Sequence, residues 1–452
     1  MKAWRILLFF LSVIVLLGLL CRFFPAEGVR IAGVDLDFPT LDEFFAVEEE
    51  DEQESPEELL ARRMEAVRRA EAENLLDYFS TDPARIYFPG DSISSFDPFF
   101  KSLDDASDTL IRIAHYGDSQ IEEDRISKVL RDSLQTRFGG GGPGMIPVRE
   151  EYYTYSISEA GTVTPDRFMV FGPPEVRAEN NRYGPMGQKS HYDSLCTVSI
   201  HPIKTNLGPS RYFNRLTLLS SGGVAVVSCK GITQILESSD TIRHIRFSLP
   251  DSTSRISFSL SGYQDIYGVM LDNDKGVSLD NIPMRGCSGT IFTAIAASQL
   301  KDYFEKDNVR LIILQYGGNM VPYTSKEKDI SAYKSKIEKQ ILYLKELAPD
   351  ASILFIGPSD MSTSIQGKMQ TYPQLPMLVD SLKAAATNSG AAFWDMYSAM
   401  GGQGSMKKWV EQDPPLAGSD YVHFTPAGAE KVGGMLYESL MLYYKYYQLR
   451  KK

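Results

Sequence analysis

Two stretches of the chain alternate apolar strands with amphipathic helices, and a long β-rich block separates them. In the first stretch, residues 110–115 form a short, mostly apolar strand that ends in Tyr116-Gly117-Asp118-Ser119. Ile126, Val129, Leu130, Leu134 and Phe138 then fall at helical spacing, which predicts a helix over roughly 120–138. After about residue 275 the rhythm resumes, with apolar strands at 311–314, 353–356 and 391–394 and helices at 330–347, 377–386 and 427–440. Uniformly apolar strands must be covered on both faces, which implies a parallel sheet between helical layers. Between the stretches, strand-like runs recur at 195–200, 215–219, 224–228, 242–247, 255–260 and 266–271. Turn residues such as Ser221-Gly222-Gly223 separate them, the pattern of a β-sandwich or jelly roll. The reading is an α/β domain built from 96–149 and 276–452, with an all-β module inserted over 150–275. The glycine-rich run 139–144 closes the first helix; it lacks a phosphate-binding Lys and reads as a flexible connection bordering the cleft.

The N-terminal segment, 1–24, has its own character. Lys2 and Arg5 precede an apolar run over 6–20, broken only by Ser12 and Gly18, before Cys21 and Arg22. That is a secretory signal or a retained membrane anchor, and either places the body outside the cytoplasm. Leu20 stands where a lipoprotein signal wants a small residue before its cysteine. Residues 25–95 read as an acidic linker and a stalk helix. The acid run 48–54 repels itself, and Ser55-Pro56-Glu57-Glu58 starts a helix that reaches Phe79. With 47 basic and 58 acidic side chains the net charge is −11, which offers nucleic acid no general attraction. The four cysteines and five histidines show no zinc-ligand spacing, so neither metal nor cofactor is expected. An oxidising compartment permits a Cys196–Cys229 bridge, with free buried thiols the simpler reading.

Four short motifs carry chemistry. Ser119 lies where a strand passes into a helix, and helix N-terminal N–H groups there suit a developing oxyanion. Asp420 stands three residues before His423, so it can fix the imidazole's tautomer and leave the other ring nitrogen to take a serine proton. Tyr316-Gly317-Gly318-Asn319 puts an amide side chain directly after an apolar strand, at the same sheet edge. Gly286-Cys287-Ser288-Gly289-Thr290 is a small-residue loop able to present a backbone N–H. The remaining candidates read as structural. His115 packs near the strand end, and His191, His201 and His244 lack ligand spacing. Trp394 and Trp409 belong to the core rather than to a sugar cleft, and Glu122, Glu123 and Asp124 are favourable charges at a helix start.

In this order and context, over roughly 100–145 and 276–445, the four motifs resemble the SGNH (GDSL-like) hydrolase superfamily. The resemblance implies a three-layer α/β/α domain. It makes Ser119 the nucleophile, His423 the base and Asp420 its orienting partner. Ser119, Gly289 and Asn319 would form the oxyanion hole, with Gly286 the competing choice of glycine. Two positions depart from the common form: Met320 replaces an acid after the asparagine, and Gln120 replaces a Leu after the nucleophile. A narrower likeness rests on 115–120 with Leu130-Arg131, Leu134-Gln135, Phe138-Gly139 and Gly142-Pro143-Gly144. These resemble the periplasmic peptidoglycan O-acetylesterases, which also carry an inserted carbohydrate-binding-like β module. That likeness implies an envelope esterase, tethered through its N-terminal segment, whose partner is an O-acetylated glycan, most naturally peptidoglycan. A glycan O-acetyltransferase of the same fold and a catalytically idle glycan-binding protein are the alternatives. A histidine base further implies activity that falls on acidification.

Overall fold

The computed structural model describes residues 3–25, 27–31, 33–42, 56–149 and 152–451. The acid run 48–54 and Ser55 lie outside these. The chain forms two compact units, Met1–Val67 and Arg68–Lys452. In the first, helix α1 (Ala3–Phe23) includes 20 residues, Trp4–Phe23, long and apolar enough to cross a membrane; a signal sequence passes the same test. Helix α2 (Pro56–Thr81) begins at a proline, whose fixed φ suits a first helical turn.

In the second unit a six-stranded sheet positions everything else. Its strands are β1 (Ile86–Tyr87), β2 (Leu110–Gly117), β3 (Gly276–Pro283), β4 (Val309–Gln315), β5 (Ser352–Ile356) and β6 (Ala392–Trp394). They lie in the order β3-β2-β4-β5-β6-β1, all parallel except the edge strand β1. Every residue of β2 is buried, as expected of a strand covered on both faces. On one face pack α3 (Asp97–Asp104), α4 (Ser127–Phe138) and a long final helix, through Phe99, Leu130, Leu134 and Leu436. On the other pack α5 (Ala297–Lys306), α6 (Glu327–Leu347) and α7 (Leu375–Asn388), through Leu300, Ile341 and Leu382. The final helix is α8 (Pro426–Arg450). This is the three-layer α/β/α arrangement, and between α4 and β3 it carries the β module.

The module is one nine-stranded antiparallel sheet built on two long strands, Phe213–Cys229 and Ile256–Asp272. The sequence breaks each of them in two. Ser221-Gly222-Gly223, read as a turn, is a register shift inside one continuous strand. An extra unpaired residue bends a strand without ending it, so each long strand takes different partners along its two halves. Alternation then feeds two cores. Leu218, Val269 and Leu271 face the module's own interior, whereas Leu219, Tyr267 and Met270 join the core of the α/β domain.

That shared core explains why the module is not a separate compact unit. A buried ionic knot fastens the same joint: Arg112 of β2 pairs with Asp272 of the module and, at 2.6 Å, with Asp280 of β3. Tyr303 Oη donates to Asp280 at 2.5 Å. The glycine run is also not a loose connection. Gly140 bridges to Val277, and a Cβ at Gly142 would lie 2.0 Å from the Leu271 carbonyl oxygen. The backbone passes too close to its neighbours for any side chain. All four cysteines are free, Cys196 and Cys229 among them.

Candidate active site

Three adjacent strands, β3, β2 and β4, deliver the motif residues to one sheet edge. Gly117 ends β2, and Asp118 and Ser119 follow. Pro283 ends β3 ahead of the 286–290 loop, and Gln315 ends β4 ahead of Asn319. Carboxyl ends of parallel strands are where such folds build their sites. The fourth motif arrives from the other direction. Pro426 opens α8 and Thr425 caps it, its Oγ1 accepting from Gly428 N at 3.2 Å, which fixes the entry of the preceding turn. Within that turn Gly418 N donates to His423 O at 2.8 Å.

Ser119 Oγ lies 2.9 Å from His423 Nε2. His423 Nδ1 lies 2.7 Å from Asp420 Oδ2. The other carboxylate oxygen, Asp420 Oδ1, accepts from the backbone N–H groups of Val422 (3.0 Å) and His423 (3.1 Å). Partial burial opposes ionisation of Asp420, but the hydrogen bonds from His423 and these N–H groups outweigh it and hold its carboxyl below the usual range. Hydroxyl, imidazole and carboxylate, 304 residues apart at their extremes, thus form one chain of hydrogen bonds.

Asn319 sits across from the serine. Its Nδ2 donates to Asp118 Oδ2 at 3.0 Å and to the Cys287 carbonyl at 3.1 Å. Asp118 Oδ1 accepts from Gln120 N at 3.0 Å. Burial pushes the Asp118 carboxyl up to about 6, against the opposing pull of these hydrogen bonds and of His423. A cleft of about 580 Å³ contains Ser119, His423, Asn319, Asp118 and Gly286. A larger cavity, about 810 Å³, lies at the opposite edge of the sheet and holds none of the motif residues.

Gly289 is not brought to this cleft. Its N–H donates to Cys287 Sγ at 3.3 Å, and its α-carbon packs so closely on Tyr316 that a Cβ would lie 2.6 Å from that ring. Gly286, the competing glycine, is the one on the cleft wall, and Gly289 does not line it. The helix expected from 120 starts only at Ser127. A kinked 3-10 turn, Glu122–Asp124, intervenes, with Glu123 and Asp124 at φ of 63° and 65°. Such a backbone persists only where its surroundings hold it. Here Arg131 grips the Asp124 carboxylate through two bonds of 2.6 and 2.9 Å, Ser156 Oγ donates to it, and Tyr155 N donates to Glu123 O at 2.9 Å. The module therefore braces the loop that follows Ser119.

Sequence reasoning missed three contributors. Gln120 reaches across to the histidine loop, its Nε2 donating to Val422 O at 2.8 Å. Its place beside Ser119, where the common form has Leu, is the signal. Asp118 anchors Asn319, and no feature of the sequence shows that it is buried. Glu122, read as a favourable charge at a helix start, is buried in the turn ahead of that helix and pairs with Arg285 through bonds of 2.6 to 3.1 Å. The bland candidates lie elsewhere. His115 is buried between Ser127 (2.9 Å) and Gln315 (3.1 Å), and burial pushes it down to about 3, so it stays neutral. His191 pairs with Asp265 and His244 with Asp302, both away from the cleft. Trp394 and Trp409 are core residues.

Residues 251–431 match the GDSL-like lipase/acylhydrolase family. The match takes in the 286–290, Asn319 and Asp420–His423 motifs but begins after Ser119. Among solved structures, a peptidoglycan O-acetylesterase is similar at 21% identity with a TM-score of 0.64, covering 76% of this chain and 95% of its own. A family two carbohydrate esterase from Cellvibrio japonicus shares 9% identity at a TM-score of 0.27, with 64% of this chain and 99% of that one covered. One from Clostridium thermocellum, in complex with cellohexaose, shares 12% at 0.26, with 58% and 97% covered. No curated protein matches the chain. The likeness to the first is one of fold.

Proposed function

We propose that this chain, whose α/β domain is a carboxylic ester hydrolase domain of the GDSL-like SGNH type, removes O-acetyl groups from an envelope glycan, peptidoglycan above all. The observation that carries the reading is the relay of 2.9 and 2.7 Å from Ser119 through His423 to Asp420, opening on a cleft that also holds an amide donor. The fold it shares with a peptidoglycan O-acetylesterase supports the glycan, and the apolar helix α1 supports an envelope location.

The chemistry proceeds in two halves. Ser119 Oγ bonds to the acetyl carbonyl carbon as its proton passes to His423 Nε2. The Asp420 carboxylate, ionised well below neutral pH, steadies the imidazolium. The oxyanion lies between the Ser119 N–H and the Gly286 N–H, and Asn319 Nδ2 joins them by exchanging its bond to the Cys287 carbonyl for one to the oxyanion. As the sugar–carbonyl bond breaks, Nε2 returns the proton to the departing sugar oxygen. Water then attacks the acetyl-enzyme, gives a proton to Nε2, and releases acetate as Ser119 regains its hydrogen. The His423 side chain is 39% exposed, so water reaches the base directly.

The test is acetate release from O-acetylated peptidoglycan and from acetylated xylan, wild type against Ser119→Ala. Release from peptidoglycan that the variant abolishes is the expected result; equal, slow release by both proteins would end the reading. Asn319→Ala is expected to lower kcat by about 10²–10³ with little change in KM, because an oxyanion donor acts on the transition state alone. Steady-state kinetics on a chromogenic acetate ester would check the split.

A further inference from the structure

A second cavity, of about 250 Å³, opens beside the catalytic cleft, and the two share Glu122 and Arg285. Its walls come from both parts of the protein. Met169, Phe171, Val176 and Met186 belong to the module, and Met284 follows β3. These walls are apolar, yet one side is not. Gln188 is buried at 9% exposure and its Oε1 accepts from Arg167 Nε at 2.7 Å. With one lone pair of the oxygen so engaged, Gln188 can offer a guest its Nε2 hydrogens. At the junction with the cleft, Arg285 is held by Glu122 and lies 4.5 Å over the Tyr152 ring. The cavity adjoins the oxyanion glycine as well, since a Cβ on Gly286 would lie 3.7 Å from Phe171.

A guest must therefore combine a small apolar group with a hydrogen-bond acceptor. A plain acyl chain would strip water from Gln188 and return no bond. A sugar bearing hydroxyls alone would set polar groups against methionine and phenylalanine. An acetamido group meets both demands, its methyl on the apolar wall and its carbonyl accepting from an amide. We infer that this cavity is the subsite for the acetamido substituent of a 2-acetamido sugar, on the acetylated residue or the next in the chain. The inserted module then forms half of the specificity pocket rather than serving as a remote tether. The inference rests on the glycan-esterase reading and narrows its substrate class.

The direct test is calorimetric binding of chitotriose and of cellotriose to the full chain carrying Ser119→Ala. Chitotriose is expected to bind at least tenfold more tightly. Adding Val176→Trp, which fills the cavity from its half-buried rim, should erase the preference. Gln188→Leu, which keeps the shape and removes the donor, should weaken it severalfold even if the tryptophan variant fails to fold. In the Ser119-containing enzyme, Val176→Trp should lower the ratio of kcat/KM on O-acetylated peptidoglycan to that on acetylated xylan at least tenfold. Equal binding of the two trisaccharides, or a preference that both variants retain, would overturn the subsite. So would faster hydrolysis of p-nitrophenyl butyrate than of the acetate that Val176→Trp reverses, which would mark an acyl pocket. Chitotriose selectivity in a protein that releases no acetate from any glycan would keep the subsite and sink the esterase reading instead.

Discussion

Ser119→Ala is expected to cut acetate release by about 10⁴-fold or more, and His423→Ala by a similar factor. The double variant should be no worse than either single one. Proton and nucleophile are handled as a unit: without the hydroxyl, the 2.9 Å contact to Nε2 has nothing to activate. Without the imidazole, the hydroxyl keeps its proton. Asp420→Asn should cost less, about 10²–10³. Its role is to hold the tautomer and steady a charge, and its side chain, 51% exposed, leaves water able to substitute in part. Residual rates measured on a chromogenic acetate ester would establish the order. Additive losses in the double variant, or an Asp420→Asn loss equal to that of Ser119→Ala, would contradict this division of labour. In each case the secondary structure should survive, because neither Ser119 nor His423 is a core residue.

Apolar strands and helical spacing were enough to place the α/β domain, because in a covered parallel sheet burial and sequence pattern coincide. Leu311 to Leu314 is buried at every position and reads so. That Ser119, His423 and Asn319 would share one cleft was legible for a related reason. A site at strand ends has to use residues just beyond an apolar run, where Ser119 and Asn319 stand, and Asp420 and His423 stand just ahead of the last helix. What escaped depends on three-dimensional closeness. Gly286 and Gly289 lie in one loop with similar φ, 75° and 77°; only the position of Tyr316 and of Cys287 Sγ separates them. The helix expected from 120 is displaced to Ser127 by a turn that Arg131 and Ser156 hold from elsewhere in the chain. The Ser221-Gly222-Gly223 bulge looks locally like a turn, because both need glycine at positive φ; its two flanks pair with the same strand, and the chain continues.

Asp118→Asn should make the protein more stable at pH 8 and a poorer enzyme. A carboxyl whose folded pKa is raised, here from 3.8 to about 6, favours folding in its protonated form. That contribution is complete below about pH 3.8 and is lost as pH rises through about 6. At pH 8 the side chain is ionised in a buried site, at a cost of up to about 3 kcal/mol from the size of the shift. An amide of the same shape does not ionise. The variant's advantage in thermal midpoint should therefore be small near pH 4 and grow to the order of 5 °C by pH 8. Activity should move the other way. Both carboxylate oxygens accept, one from Gln120 N and one from Asn319 Nδ2, and an asparagine must turn its NH₂ against one of these donors. Whichever bond fails, the Asn319 amide or the backbone beside Ser119 loses its anchor, and kcat should drop about 10–10²-fold. The acid limb of the kcat profile should also become shallower, since one of the groups that must be ionised is gone. A stability difference that stays constant from pH 4 to pH 8 would show that the buried charge is not what the protein bears at this position. The burial of Asp118 would then serve packing, with Asn319 held by the Cys287 carbonyl alone.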